Sequence, residues 1–133
     1  MRRWVAAMSA HDLEAAVACF DPDYRDEAPA HGTAFRGIDV VRRNFAALFR
    51  DIPDLAAELL DLVTGGGRTW VEWRMRGTRR DGSRFEFVGV NIFTVRGGRI
   101  AEGRIYTELV RDVGGIEGQV DRMTRGPGGR GHP

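Results

Sequence analysis

The sequence predicts an α+β protein, with helices first and a run of antiparallel strands after them. Up to Ile52, apolar residues recur at the three- and four-residue spacing of amphipathic helices. From Thr69 onward they alternate with polar residues, which is the period of a strand with one buried face. Asp81-Gly82 and Gly97-Gly98 have the composition of tight turns and divide this region into three strands. Helices followed by strands with short connections are typical of the α+β class.

Two segments predict helices at the N-terminus. The first is short, with Trp4, Val5 and Met8 on one face. The second begins at Ser9, because Ser-Ala-His-Asp resembles a capping box, and it ends before Pro22, which cannot continue a helix. Its apolar residues recur at helical spacing: Leu13, Ala16, Val17 and Phe20.

A longer third helix is the clearest element of the sequence, and Pro53 ends it. Its apolar stripe consists of Ile38, Val41, Phe45, Leu48 and Ile52. Before this helix, DYRDEA predicts a short strand and PAHGTAFRG a loop. After it, LAAELLDLV fits two structures: its composition favours a helix, whereas the following TGGGR turn favours one arm of a hairpin.

The later strands divide into two faces. In the strand TWVEWRMRGT, the alternation places Val71, Trp73 and Met75 on one face and the polar residues, with Trp70, on the other. The last strand follows the glycines of GGRIAEGRIYTEL, and its alternation places Gly103, Ile105 and Thr107 on one face. That face carries no titratable side chain. Arg104 and Glu108 lie on the opposite face.

The composition indicates one domain over residues 1–122 and a flexible, glycine-rich tail over residues 123–133. Twenty basic and 19 acidic residues give a net charge of +1, which provides no field for binding nucleic acid. Cys19 is the one cysteine, so no internal disulfide forms and we predict a cytoplasmic protein. No apolar stretch reaches the length of a membrane span. The three histidines lack metal-ligand spacing.

Several short motifs, in their order, resemble the nuclear transport factor two-like superfamily and, within it, the SnoaL-like polyketide cyclases. The motifs are PDYRDEAP, FRG, IPDL, VEWRMRGT with its Asp-Gly turn, FVGVNIF and GGRI. The resemblance implies a cone-shaped α+β barrel, in which a curved antiparallel sheet packs on the N-terminal helices and one long helix. It also implies a pocket at one end of the cone, a homodimer through the outer face of the sheet, and chemistry that needs no metal or organic cofactor.

The resemblance makes Glu27 the first candidate for acid–base catalysis. SnoaL-like sequences commonly place a pocket-facing histidine where Glu27 stands, and a buried carboxyl can move a proton next to a carbonyl. The alternative is a solvated charge in an acidic loop, because several aspartates lie nearby. His31, in the loop at the expected rim of the pocket, is the second acid–base candidate, and it is alternatively just an exposed side chain.

Further side chains are candidates for substrate binding. Glu72 and Arg74 share a strand face and resemble an inverted form of an Arg-x-Asp pair found in related epoxide hydrolases, although a cross-strand ion pair explains them as well. Asn91 could hydrogen-bond a ligand from the middle of its strand. Ile105 stands where those hydrolases have a catalytic aspartate, so the resemblance makes the face of Gly103, Ile105 and Thr107 the inward one and argues against their mechanism. The remaining candidates are Arg25, as a partner of Glu72 and Arg74, and the aromatic wall residues Trp73 and Phe93.

Two functions are therefore open. The first is a cofactor-independent cyclase or isomerase that carries out acid–base chemistry on a hydrophobic carbonyl compound. The second is a non-catalytic dimeric domain that binds a ligand or serves as an accessory protein. A closed interior filled by aromatic side chains would favour the second, whereas a deep cavity with converging polar groups would favour the first.

Overall fold

The computed structural model describes residues 1–111 and 114–125. Two helices, two strands and a longer helix come first, and four consecutive strands and a final helix follow. The bounds of the elements are α1 Arg2–Ser9, α2 Leu13–Val17, β1 Phe20–Ala28, β2 Thr33–Arg36, α3 Ile38–Asp51, β3 Ala56–Gly65, β4 Arg68–Thr78, β5 Arg84–Arg96, β6 Arg99–Leu109 and α4 Gly115–Arg125. A 3-10 turn, Pro29–His31, connects β1 to β2.

The six strands form one sheet in the order β2-β1-β6-β5-β4-β3. Neighbouring strands are antiparallel with one exception: β1 runs parallel to β6, with Arg25 opposite Glu102 and Glu27 opposite Arg104. The α+β class is confirmed, but the expectation of a wholly antiparallel sheet is wrong at this one pairing. Over the described residues, β2 and β3 are unpaired edges, so the sheet is open rather than a closed barrel.

The N-terminal helices differ from the prediction at their ends. Helix α2 begins after Asp12, whose Oδ1 accepts a hydrogen bond from the Ala15 N–H at 3.1 Å, and it ends at Val17. Phe20 therefore begins β1, and Pro22 lies inside that strand, where the register of β1 and β6 shifts between Phe20 and Arg25. A proline has no N–H to donate, so an irregular stretch of a strand accommodates it.

Tertiary pairing decides two segments that the sequence left open or assigned to a loop. Residues 56–65 form β3 despite their helical composition, because they pair with β4 along almost their whole length across the Gly66-Gly67 turn. Both glycines have positive φ angles, 59° and 76°, which L residues with a side chain rarely adopt. Thr33–Arg36, predicted as part of a loop, pairs with β1 as strand β2.

The core lies between the sheet and helices α1 and α3. Val71, Trp73 and Met75 are buried on the inner face of β4, as the alternation predicts. The α3 stripe packs on the same core, with Val41 buried and Phe45 half-buried. No helix in the described ranges combines the length and the apolarity that a bilayer-spanning segment needs.

The C-terminal prediction is wrong in part. Helix α4 continues to Arg125, so residues 123–125 are helical rather than part of a flexible tail. The rest of the predicted tail, residues 126–133, lies outside the described residues.

Candidate functional site

A cavity of about 310 Å³ lies between the inner face of the sheet and helices α1 and α3. Most of its wall is aromatic or aliphatic, and a few polar groups converge on it. The wall consists of Trp4, Phe20, Tyr24, Asp26, Ala28, Thr33, Phe35, Val41, Asn44, Phe45, Leu48, Trp73, Met75, Phe87, Asn91, Phe93, Ile105 and Thr107. An apolar cavity of this size with a small number of polar groups is typical of a small-molecule site.

The alternation of β1 directs one carboxyl into this cavity. Tyr24 and Asp26 are two residues apart and share the inner face, whereas Glu27 points the other way. The Tyr24 hydroxyl donates a hydrogen bond to Asp26 Oδ2 at 2.7 Å. Tyr24 is only 1% exposed, because its ring packs edge-to-face against Phe20 and Phe35. The packed tyrosine therefore holds the Asp26 carboxyl in a defined position.

Burial changes the acidity of both groups. Burial raises the pKa of Asp26 above the ordinary value of 3.8, the Tyr24 hydrogen bond opposes this, and the nearby charge of Glu27 adds to it. Burial also raises the pKa of Tyr24, and the charge and hydrogen bond of Asp26 raise it further. Tyr24 consequently remains a hydroxyl donor across the physiological range, and Asp26 is a carboxyl whose affinity for a proton is increased.

A glycine on β6 makes the close approach of Tyr24 possible. Gly103 lies opposite Asp26 on β1 and opposite Phe93 on β5. A Cβ atom at Gly103 would overlap the Tyr24 hydroxyl oxygen and would lie 2.9 Å from the Phe93 ring. The inward face of β6 is therefore as the sequence predicts, with Ile105 and Thr107 on the cavity wall.

Three polar atoms of the cavity-lining residues have no hydrogen-bond partner in the described structure. They are Nε1 of Trp4, Nε1 of Trp73 and Oδ1 of Asn91. These side chains are only 3%, 3% and 4% exposed, respectively. Buried polar groups in proteins almost always have a partner, so three such atoms around one cavity are unusual.

The structure brings together four of the predicted site residues and separates the others from them. Trp73, Asn91, Phe93 and Ile105 line the cavity. His31 is exposed at the end of the 3-10 turn and is not part of the cavity wall.

Glu27 does not line this cavity, and Asp26 is the carboxyl that does. Glu27 and Arg25 are exposed and border a second concavity of about 350 Å³, beside Arg68 and Arg104 of the outer face. Asp26 and Phe35 line this concavity as well as the cavity. Sequence reasoning missed Asp26 because the resemblance places the pocket-facing histidine of the family at the position of Glu27. The signal that could have found Asp26 is its spacing from Tyr24. It lies two residues after this large aromatic residue, so the two side chains share one face of the strand.

Glu72 and Arg74 also lie on the outer face. Arg74 donates from Nε and Nη2 to Glu58 Oε1 of the neighbouring strand, at 3.2 and 2.7 Å, rather than to Glu72. This is the cross-strand ion pair that the sequence offered as the alternative. Glu72 is exposed and borders a shallow depression with Trp70 and Val63. Neither side chain faces the cavity.

The described residues contain no group of three or more histidine, cysteine, aspartate or glutamate side chains placed to hold a metal ion. Around the cavity, Asp26 is the one carboxyl of the wall, and the other polar groups are hydroxyl, amide and indole. The arrangement is suited to hydrogen bonding and to proton transfer.

Comparison with known proteins gives the same fold. The family model described as the SnoaL-like domain matches residues 1–103. A search of curated protein sequences finds no match. A candidate polyketide cyclase from Sinorhizobium meliloti is 27% identical, with a TM-score of 0.61 over 78% of this chain and 90% of that one.

Two further solved structures support the fold alone. A candidate SnoaL-like polyketide cyclase from Jannaschia is 20% identical, with a TM-score of 0.67 over 80% of this chain and 81% of that one. A protein from Catenulispora acidiphila with a ketosteroid isomerase-like fold, solved in complex with trimethylamine, is 18% identical. Its TM-score is 0.67 over 79% of this chain and 82% of that one.

Proposed function

Because this chain belongs to the SnoaL-like domain family, we propose that it binds a hydrophobic, carbonyl-bearing small molecule and moves a proton on it, as a cyclase or isomerase. The observation that carries the proposal is the Tyr24–Asp26 pair in an otherwise apolar cavity. The similarity to a candidate polyketide cyclase adds support. The domain belongs to a family of small-molecule-binding folds whether or not it catalyses a reaction.

Asp26 is the general acid–base residue in this proposal. Its carboxylate takes a proton from the carbon next to the carbonyl, so that the C–H bond breaks, an O–H bond forms on Asp26 and the electron pair passes to the carbonyl oxygen as an enolate. Asp26 then returns the proton to the product. Burial raises the pKa of this carboxyl, which makes it a stronger base than an aspartate in water.

Tyr24 positions Asp26 in the same scheme. Its hydroxyl donates to Oδ2 of the Asp26 carboxyl, so Oδ1 remains available to take the proton from the substrate. Because burial keeps Tyr24 protonated, this hydrogen bond persists in both states of Asp26. The apolar wall around the pair reduces the solvation of the carboxylate, which raises its basicity.

Solvent deuterium incorporation tests the proposal directly. We would incubate the protein in D₂O with 1-tetralone and with a steroid 3-ketone, and measure deuterium next to the carbonyl by mass spectrometry. We expect Asp26→Asn to lose about 100-fold or more of the exchange rate, the range that general acid–base groups contribute. Glu72→Gln is the matched control, since it removes an exposed carboxyl on the outer face of β4 and should keep the exchange rate. Equal rates in Asp26→Asn and the unmodified protein would overturn the role of Asp26.

The second candidate function is a binding or accessory domain without catalysis. The inward face of β6 favours it, because Gly103, Ile105 and Thr107 provide no acid or base there. In this case the ketones would bind, raise the melting temperature and exchange no faster than in buffer.

The assembly that we propose is a homodimer through the outer face of the sheet. This face carries exposed apolar side chains on three strands: Val63 of β3, Trp70 of β4 and Tyr106 of β6. Val63 is the cross-strand partner of Trp70, so the two form one patch. A cytoplasmic location and the absence of a cofactor remain predictions from the sequence.

A further inference from the structure

The second concavity, of about 350 Å³, is lined by three arginines: Arg25 of β1, Arg68 of β4 and Arg104 of β6. Within residues 1–111 and 114–125, none of the three forms an ion pair. Other arginines of the sheet do form such pairs, for example Arg74 with Glu58. The guanidinium groups around this concavity therefore remain available to a ligand.

Strand pairing brings these arginines to one place on the sheet. Arg25 lies opposite Glu102 of β6, and Glu102 lies opposite Thr94 of β5. The pairing of β4 with β5 places Arg68 beside Thr94, at the other end of this row. At a strand spacing of about 4.8 Å, the ends of the row are about 14 Å apart. Arg104 lies between them on β6, and all five side chains line the same concavity, so one small ligand can contact several of them.

The carboxyls of the wall compensate this positive charge only in part. Glu102 accepts a hydrogen bond from a further arginine, Arg96. Asp26 accepts a hydrogen bond from the Tyr24 hydroxyl. Glu27, opposite Arg104 on the neighbouring strand, is the remaining carboxyl of the wall, and it forms no ion pair with the described residues. The local balance of charge is therefore positive.

Arg36 adds a further positive charge beside the concavity. It is exposed and lies directly opposite Arg25 across the pairing of β1 with β2. Like charges in directly opposite positions destabilise a sheet. A bound anion offsets this repulsion, and the planar guanidinium group fits the two oxygens of a carboxylate or phosphate. These observations favour an anion as the ligand.

We propose that Arg25, Arg68 and Arg104 form a binding site for a small aryl oxyanion, a phosphate or a carboxylate, outside the proposed catalytic cavity. The guanidinium groups bind the anionic oxygens, and the Thr94 hydroxyl donates a further hydrogen bond. Phe35 and Ile92, on the same wall, provide the apolar contact for the ring. The site goes beyond the proposed function, because binding here involves no proton transfer.

Calorimetric binding of three probes tests the charge requirement. The probes are phenyl phosphate, phthalate and the neutral triester dimethyl phenyl phosphate. We expect an anion to bind at least tenfold more tightly than the triester, and its affinity to fall as sodium chloride is added, because salt screens exposed charges. The anion that binds more tightly identifies the preferred oxyanion. Equal affinity of both anions and the triester, or no binding of either anion, overturns the proposal.

Arginine variants test which side chains bind the anion. Arg68→Gln and Arg104→Gln should each weaken the binding of phenyl phosphate about tenfold, the usual loss for one hydrogen bond to a charged group. Arg43→Gln is the matched control, because it removes the same charge from an exposed position of α3 outside the concavity. An equal loss of affinity in all three variants would show a general effect of net charge and would overturn the site.

Glu27→Gln tests the same assignment in the opposite direction. It removes the unpaired carboxylate of the wall, so phenyl phosphate should bind several-fold more tightly. Glu72→Gln is the control, since Glu72 is exposed on the outer face but borders a different depression, and it should leave the affinity unchanged. Weaker binding in Glu27→Gln would contradict an anion held by the arginines.

Amide NMR shifts locate the bound anion. Phenyl phosphate should shift the amides of Arg68 and Thr94 and leave the indole N–H of Trp73 and the side-chain amide of Asn91, in the inner cavity, unchanged. Shifts confined to the inner cavity overturn the proposal. Failure of this site leaves the test of the proposed function intact, because deuterium exchange is measured with neutral ketones.

Discussion

A difference of one position along β1 decides which carboxyl faces the cavity, because adjacent side chains of a strand point to opposite faces. Glu27 is its neighbour in sequence and has the same chemistry, but its side chain lies on the outer face and is exposed. Asp26 is half-buried and accepts a hydrogen bond from Tyr24. The difference in environment, rather than in residue type, makes Asp26 the group with the raised pKa.

The raised pKa of Asp26 predicts a pH-dependent cost in stability. Between the ordinary pKa of 3.8 and the raised value, the folded protein binds more protons than the unfolded chain, so the free energy of unfolding falls as pH rises through this window. Asparagine does not titrate, so Asp26→Asn removes this fall in the free energy of unfolding. We expect its stability relative to the unmodified protein to increase from pH 4 toward neutrality, as measured by urea unfolding.

Carbon NMR titration of the carboxyl checks the same prediction at the residue itself. The Asp26 pKa should lie above 3.8. Because the charge of Glu27 contributes to the increase, Glu27→Gln should lower the Asp26 pKa. An Asp26 pKa at or below the ordinary value would contradict the burial argument.

Gly103 gives a second prediction at the scale of single residues. Gly103→Ala places a methyl group against the Tyr24 hydroxyl and the Phe93 ring. We expect it to lower the free energy of unfolding by about 1–3 kcal/mol, the usual cost of overpacking a core. Gly65→Ala is the matched control, since a Cβ atom there meets open space, and it should stay within about 0.5 kcal/mol. Equal effects in chemical denaturation would show that Tyr24 moves freely.

At the scale of elements, β3 shows how tertiary pairing overrides composition. Its sequence is rich in Ala, Leu and Glu, which favour helices, yet it pairs with β4. Ser9 provides a contact from the other side: its hydroxyl donates to the Ala57 carbonyl at 2.9 Å and accepts from the Ala57 N–H at 2.8 Å. The residue that sequence reasoning assigned to a helix cap thus joins the end of α1 to the edge strand.

Ser9→Ala tests this connection between α1 and β3. The change removes both hydrogen bonds to Ala57, so we expect a loss of about 1 kcal/mol in the free energy of unfolding. Amide exchange of Ala57 should become faster, because its N–H donates to the Ser9 hydroxyl. Asp12→Ala is the comparison: it removes the true cap of α2 and should destabilise the protein without changing the exchange of Ala57. Unchanged Ala57 exchange in Ser9→Ala would contradict the connection.

At the scale of the whole molecule, the sheet separates two surfaces with different roles. Its inner face forms the cavity with helices α1 and α3. Its outer face carries ion pairs such as Arg74–Glu58 beside exposed apolar side chains such as Trp70, which is 46% exposed. The proposed dimer would cover the apolar part of this outer face and leave the cavity accessible.

The proposed homodimer predicts a mass of two chains in sedimentation equilibrium. Trp70→Arg should shift the protein toward the monomer, because it places a charge in the centre of the apolar patch. Met123→Arg is the matched control: Met123 is an exposed apolar residue of α4, outside the sheet face. A monomeric unmodified protein, or equal dissociation in the two variants, would rule out this interface.

The sequence by itself determined the α+β class, the long helix α3, the hairpins of β4 to β6 and the division of β6 into two faces. All of these depend on local periodicity and turn residues, which a single chain segment carries in full. It also predicted four residues of the cavity wall, Trp73, Asn91, Phe93 and Ile105, either from the alternation of their strand or from the family resemblance.

Only the tertiary structure decided which carboxyl faces the cavity, which state residues 56–65 adopt, and the parallel pairing of β1 with β6. Each of these results depends on pairing between different segments: β1 pairs with the adjacent β2 and with the distant β6, and β3 pairs with β4 across the Gly66-Gly67 turn. The raised pKa of Asp26 likewise comes from burial by several elements. The environment of a side chain is a property of the assembled fold, and for this reason the candidate catalytic residue could not be chosen from residue types alone.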